Sequence, residues 1–259
     1  MRRSPSSYGS SMSFGPGPVS PVLKGLIGAN VLMFVLQMMG GWAGVSITWY
    51  LGLQPAQVLG HLAIWQLATY MFLHAGLVHI LFNMLALWMF GAELERIWGT
   101  RGFLKFYFVT GIGAGVLTVL FSLLPFAFAQ QLQHSIIIGA SGAIYGLLLA
   151  YALYFPNRPI YMYFVFPIPA KYFVLIMGLI AFYSSLADGS GVANATHLGG
   201  LLVAYIYLKG SGAFRMPGDG FHPASEIKYR YLKWKINRAR RKFDVYSGGR
   251  SNDWDRRVH

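Results

Sequence analysis

The sequence predicts an all-α membrane protein, and three observations predict it. Charged residues occupy only 11% of the 259 positions, against about 25% in a typical soluble domain. Apolar stretches recur at the length of a membrane crossing, about 20 residues. Lys and Arg alternate between successive loops, present in one and absent from the next. A hydrophobic content of 55% also excludes a disordered chain. With no Cys, disulfides, thiolate metal sites and a Cys nucleophile are ruled out. The net charge of +13 suggests nucleic acid or an anionic membrane surface, and its placement separates the two. Residues 209–259 hold 13 Lys+Arg and 5 Asp+Glu, whereas residues 1–208 hold 8 and 3.

Taken in order, residues 1–21 form an arm of mostly Ser, Gly and Pro, too polar to bury a core and expected to be disordered. Arg2 and Arg3 suit a secretion signal, but no apolar run follows them. Six spans are expected near 22–40, 78–95, 103–124, 136–154, 170–187 and 193–208. The stretch 43–77 is long, aromatic and broken by Pro55 and several Gly. It reads as an interfacial loop containing short helices. Arg96, Arg101 and Lys105 follow the second span, and Arg158 and Lys171 lie between the fourth and fifth. The loops 43–77, 125–135 and 188–192 contain no Lys or Arg. The positive-inside rule then puts both termini in the cytoplasm and these three loops outside. The expected domains are therefore the arm 1–21, a six-span domain 22–208 and a basic cytoplasmic tail 209–259.

Polar groups at membrane depth are costly and mark function by default. His79 and Asn83 on span two, Ser141 on span four and His197 on span six stand out. All three spans run inward, and each residue lies within about two turns of the outer helix end, so at ~1.5 Å per residue they share one depth. A Ser hydroxyl needs an adjacent base to act as a nucleophile, and an imidazole suits that task. Near a helix N-terminus, Ser141 would also sit among unpaired N–H groups that favour an oxyanion. His79 and Asn83, four residues apart, share a helix face and can both donate hydrogen bonds. Tyr145 lies one turn below Ser141, placed to support the His197 ring. The competing reading is packing alone: Gly142 and Gly146 form a small-residue helix contact, and His79 with Asn83 act as interhelical glue.

Glu93 and Glu95 lie roughly 21–24 Å along the helix from His79, and Asp188 sits in a Gly-rich loop. A Ser141–His197 dyad without a third acid follows. Other intramembrane chemistries lack their residues. There is a single membrane-domain Asp, no His-Glu-x-x-His, no internal symmetry of a transporter and no continuous polar path of a channel.

Three motifs carry a family resemblance. His79-Ile80-Leu81-Phe82-Asn83 resembles the HxxxN of the rhomboid intramembrane serine proteases. Gly139-Ala140-Ser141-Gly142-Ala143-Ile144-Tyr145-Gly146 resembles their GxSGxxYG, and Ala195-Thr196-His197-Leu198-Gly199-Gly200 their AxHxxG. The resemblance covers nearly all of 22–208. It implies a six-helix transmembrane rhomboid bundle with an embedded first loop. Ser141 would be the nucleophile and His197 the base. The Ser141 N–H, His79 and Asn83 would form the oxyanion hole. Tyr145, Gly139, Gly142 and Gly200 would be supporting residues. Span five would be a lateral gate and loop 188–195 a cap. Where the family often has Trp-Arg in its first loop, this chain has Trp65-Gln66. Glu95 is expected to cap or pair at the cytoplasmic interface, with Arg101 a candidate partner, and His74 to make a structural loop hydrogen bond.

The resemblance implies substrates that are single-span membrane proteins, no cofactor and no metal. A catalytically inactive, client-binding relative is the alternative function. The expected location is a bacterial cytoplasmic membrane, with the site opening to the outer side. Tail residues 225–242 can form a basic helix lying on anionic lipid; no motif supports nucleic-acid binding.

Overall fold

The computed structural model describes residues 18–125, 127–162, 166–186, 192–210 and Lys235. Most of the expected arm, the core of the cap loop and all of the basic tail beyond Gly210 except Lys235 lie outside the described residues.

The first span is α1 (Pro21–Trp42). Ser20 starts it as N-cap, its hydroxyl accepting the Leu23 N–H at 3.1 Å, and Pro21 occupies the first turn, where no N–H is needed. The loop that follows contains three short helices, α2 (Ile47–Leu51), α3 (Pro55–His61) and α4 (Gln66–Thr69), and a 3₁₀ turn at Tyr70–Phe72. Trp65 and Leu62 are exposed, while Leu53, Tyr70, Met71 and Leu73 are buried. The loop thus presents apolar surface outward and also packs inward.

Spans two and three, expected as separate helices, form one helical run, α5 (Leu77–Phe121), broken at Gly99. Gly99 adopts φ 68°, ψ 167°, a conformation open to Gly because it has no Cβ. The two halves fold back on each other. A Cβ on Gly91 would lie 3.2 Å from the Phe103 ring, whereas twelve residues of straight helix would separate them by ~18 Å. Phe103, Phe106 and Tyr107 are fully buried around this turn. Next comes α6 (Ala127–His134), a short helix in the loop between spans three and four.

The fourth helix, α7 (Ser141–Tyr154), begins five residues later than the expected 136. Two features withhold residues 136–140 from it. Ile137 exchanges backbone hydrogen bonds with Leu53 of the first loop, at 2.8 and 2.9 Å. Gly139 has φ +126°, and its N–H is bonded to the Tyr70 carbonyl at 2.9 Å. At 14 residues, α7 is ~21 Å long, short of the ~30 Å hydrocarbon layer. Gly142, Ala143 and Ile144 of its first turn are buried in the protein.

The sequence gives no strand, yet the turn after α7 is a hairpin of β1 (Pro159–Met162) and β2 (Phe166–Pro169), paired antiparallel with Ile160 opposite Ile168. The otherwise helical fold thus carries one small sheet. At its base the Ala170 N–H bonds to the Arg158 carbonyl at 2.9 Å. Arg158 Nη1 lies 2.7 Å from Glu93 Oε2, and that carboxylate holds the guanidinium above its usual pKa. The chain ends its described part in α8 (Ala170–Leu186) and α9 (Val192–Gly210).

By length and composition, α1 and α5 can cross a membrane, and α7 and α8 are shorter apolar helices. The core forms where α5, α7 and α9 meet. There Leu87, Phe106, Leu147, Ala143 and Ala204 are buried.

Candidate active site

Ser141 is the first residue of α7, immediately after the left-handed turn at Gly139. Its own N–H and those of the next residues belong to the first helical turn, which has no intrahelical partners and carries the positive end of the helix dipole. His197 lies in the second turn of α9. Its Nε2 is 2.7 Å from Ser141 Oγ, a hydrogen bond between two helices 56 residues apart in the chain.

This distance requires α7 and α9 to approach backbone to backbone. A Cβ on Gly200 would overlap the Gly142 carbonyl, and one on Gly142 would lie 3.0 Å from Ala114 Cβ and 3.1 Å from the Tyr70 hydroxyl. Gly199 meets the Ala114 backbone at 3.3 Å in the same sense. Thr118 and Thr196 add a hydroxyl pair at 2.9 Å between α5 and α9. Small residues therefore set the interhelical distance, and the hydrogen bond follows from it.

The Tyr145 ring lies flat on His197, with centroids 4.3 Å apart and planes 7° from parallel. His197 Nδ1 is buried and makes no hydrogen bond. Ring stacking, together with the bond to Ser141, fixes the imidazole.

His79 and Asn83 stand on the first two turns of α5 and face the same space. The Ala75 N–H donates to His79 Nδ1 at 3.3 Å. An imidazole that accepts at Nδ1 carries its proton on Nε2 when neutral. The Cε1–Nε2 edge of the ring lies against Gly139, since a Cβ there would lie 2.9 Å from each of these two atoms and 3.5 Å from Ser141 Oγ. Asn83 is buried and its Nδ2 has no hydrogen-bond acceptor. His79, Asn83, Ser141, Tyr145 and His197 line one cavity of about 680 Å³, with Phe82 beside them. Of the eight site residues named from sequence, these five line the cavity, Gly139 packs against the His79 ring and Gly142 follows Ser141 in the first turn of α7. Gly200 lies one layer out, against Gly142. Among the described residues no cluster of three or more His, Cys, Asp or Glu has metal-binding geometry.

The secondary assignments differ more. Gln66 is buried and stitches the first loop together. Its Oε1 accepts the Gln54 N–H at 3.0 Å, and its Nε2 donates to the Tyr50 and Trp49 carbonyls at 3.4 and 3.5 Å. His74 is held through its main chain by Gln37, while its buried ring packs edge-on against His79 at 5.0 Å. Glu95 accepts from the Ser20 hydroxyl at 2.5 Å and the Thr100 hydroxyl at 2.8 Å. It therefore joins the start of α1 to the Gly99 break through hydroxyls, where Arg101 was the candidate. Asp188 lies outside the described residues.

Sequence reasoning did not find Tyr70, whose buried hydroxyl donates to the Gly111 carbonyl at 2.7 Å beneath Gly142. Nor did it find Gln37 or the Thr118–Thr196 pair. Gln37 was visible as an amide in an otherwise apolar span, the same signal that marked His79 and Asn83.

The Rhomboid domain family model matches residues 61–211, more than half of the chain. The chain is 32% identical over 196 residues to "Rhomboid protease GluP" of Bacillus subtilis (strain 168), covering 73% of this chain and 35% of that protein. It is 33% identical over 186 residues to "Rhomboid protein 1, mitochondrial" of Saccharomyces cerevisiae, covering 70% and 51%. With "Rhomboid-like protein 15" of Arabidopsis thaliana the identity is 28% over 205 residues, covering 77% and 49%. The chain thus spans about a third to a half of the length of these relatives. A match to the Rhomboid domain over more than half its length, running from the first loop through α9, makes this chain a member of the rhomboid family.

Proposed function

We propose that the protein is an intramembrane serine endopeptidase that cuts single-span membrane proteins within or near their transmembrane segment. The observation that carries this reading is the 2.7 Å contact between Ser141 Oγ and His197 Nε2 at the floor of a cavity. In the proposed reaction the Ser141 hydroxyl donates to neutral His197 Nε2. It then attacks the peptide carbonyl carbon as its proton passes to the imidazole. The negative oxygen of the tetrahedral intermediate is held by the Ser141 N–H, His79 Nε2–H and Asn83 Nδ2–H. The intermediate collapses, the C–N bond breaks, and His197 gives its proton to the departing amine. Water, deprotonated by the same imidazole, then cleaves the acyl-serine ester. Tyr145 keeps the ring flat and in place throughout.

The same reading takes α1, the two halves of α5, α7, α8 and α9 as six membrane crossings with both termini on the cytoplasmic side. Ser141 then lies a few Å below the outer surface of a bacterial cytoplasmic membrane, and the basic tail meets anionic lipid on the other side.

The test is cleavage of a single-span substrate by purified protein in lipid, beside Ser141→Ala and His197→Ala. Wild type should cut and neither variant should. A serine-reactive phosphonate should label wild type and not Ser141→Ala. Undiminished cleavage by either variant would sink the dyad. Absence of both labelling and cleavage in the wild type would favour an inactive, client-binding protein.

A further inference from the structure

The orientation of the His79 ring is set from a different helix. Its Nδ1 accepts the Ala75 N–H at 3.3 Å, and this bond leaves the proton on Nε2, on the ring edge that lies against Gly139. Ala75 is exposed and lies between the 3₁₀ turn and α5, so nothing in its own side chain fixes its amide. The preceding residue is fixed instead. Gln37 Oε1 accepts the His74 N–H at 2.9 Å, and Gln37 Nε2 donates to the His74 carbonyl at 3.4 Å. The carbonyl of His74 and the N–H of Ala75 belong to one planar peptide unit. Holding that carbonyl therefore aims that N–H. The Gln37 amide is itself held, because Nε2 also donates to Thr48 Oγ1 of α2 at 3.2 Å. The buried His74 ring, edge-on to His79 at 5.0 Å, closes the remaining side.

We propose that Gln37, on the first helix, is a positioning residue for the oxyanion donor: through the 74–75 peptide it holds His79 in the tautomer that presents Nε2–H to the site. A Gln in this place does more than anchor a loop, since both polar ends of its amide engage one residue and a third group fixes its rotation. A neutral His79 with its proton on Nδ1 would turn a lone pair toward a developing negative charge. The proposal rests on the proteolytic reading for its consequence in catalysis. Its structural core, the link from Gln37 to the His79 tautomer, stands apart from that reading.

The experiment uses the full-length protein in micelles or nanodiscs, with 15N-labelled histidine. The two ring nitrogens of a neutral imidazole give well-separated 15N shifts, which report the tautomer directly. In wild type, His79 should carry its proton on Nε2; a proton on Nδ1 would overturn the proposal without any variant. Gln37→Leu should mix the two tautomers and lower kcat by between about tenfold and hundredfold, with KM changed little, the size of a misaimed donor. Gln37→Glu keeps the acceptor for the His74 N–H but removes the donor to the His74 carbonyl, so it should mix the tautomers as Gln37→Leu does. If Gln37→Leu does not fold, Thr48→Val frees the Gln37 amide to rotate and should shift the tautomer in the same direction. An unchanged His79 tautomer in folded Gln37→Leu, or in Thr48→Val where that variant stands in, would overturn the proposal, leaving the protease reading intact. A tautomer shift in a protein that cleaves nothing would keep the link and remove the protease reading.

Discussion

Gly139 is the residue at which the local backbone and the site chemistry meet. Its φ of +126° is open to Gly, and a methyl group there would press 2.9 Å from His79 Nε2. Gly139→Ala is therefore expected to lower cleavage at least about tenfold and to destabilise the protein by ~1–3 kcal/mol, the usual range for such backbone strain. Thermal unfolding beside a cleavage assay checks both. Asn83 differs, because it lines the cavity and its buried Nδ2 has no acceptor. Asn83→Ala should reduce kcat by roughly 10²–10³, the worth of one oxyanion donor, with little change in Tm. A complete loss together with a lower Tm would instead give Asn83 a folding role. In the proposed mechanism Tyr145 acts through its ring, which is stacked on His197. Tyr145→Phe should keep most of the activity and Tyr145→Ala should lose it, read as kcat on one substrate. The site residues were legible because polar groups are so scarce in these spans that four at one depth stand out. Tyr70 was not, because its partner is a backbone carbonyl that a sequence does not rank; Gln37 carried the same signal as His79 and Asn83, but its partners in the first loop did not.

At the scale of helices, the site depends on how closely α7 and α9 approach. Gly200 has no room for a side chain against the Gly142 carbonyl. Gly200→Val should push the two helices apart, lengthening the Ser141–His197 contact and lowering both Tm and phosphonate labelling. If labelling persisted with an unchanged Tm, the helices could adjust, and the close packing would not be what sets the dyad. On the opposite side, Ser20 caps α1 and also bonds Glu95. Ser20→Ala should cost about 1 kcal/mol of stability, the value of an N-cap, and leave kcat unchanged. Helix existence and order could be read from apolar runs of about 20 residues. The late start of α7 could not, since Ile136, Ile137 and Ile138 are as apolar as the helix itself. What withdraws them is a backbone bridge to Leu53, more than eighty residues earlier. The hairpin after α7 was missed for a related reason. Its Pro and aromatic residues read as a turn, and strand pairing is decided by two segments meeting.

For the whole molecule, the proposed topology can be tested directly. With no native Cys, a single introduced Cys is a unique label. Leu62, 74% exposed in the first loop, replaced by Cys should react with an impermeant maleimide added to intact cells. Cys at Lys235 in the basic tail should react only after permeabilisation. The reverse pattern would invert the orientation and place Ser141 near the cytoplasmic face.

Composition and order alone determined that this is a helical membrane protein, where its apolar runs lie and which few polar residues are worth attention. Those properties depend on the transfer of side chains from water to lipid, which is additive along a chain. Tertiary structure decided the rest: that Ser141 opens its helix, that His197 comes within 2.7 Å of it, and that the His79 ring lies against Gly139 beside them. These depend on glycine contacts and backbone hydrogen bonds between segments far apart in the chain. Such contacts exist only once the helices have packed.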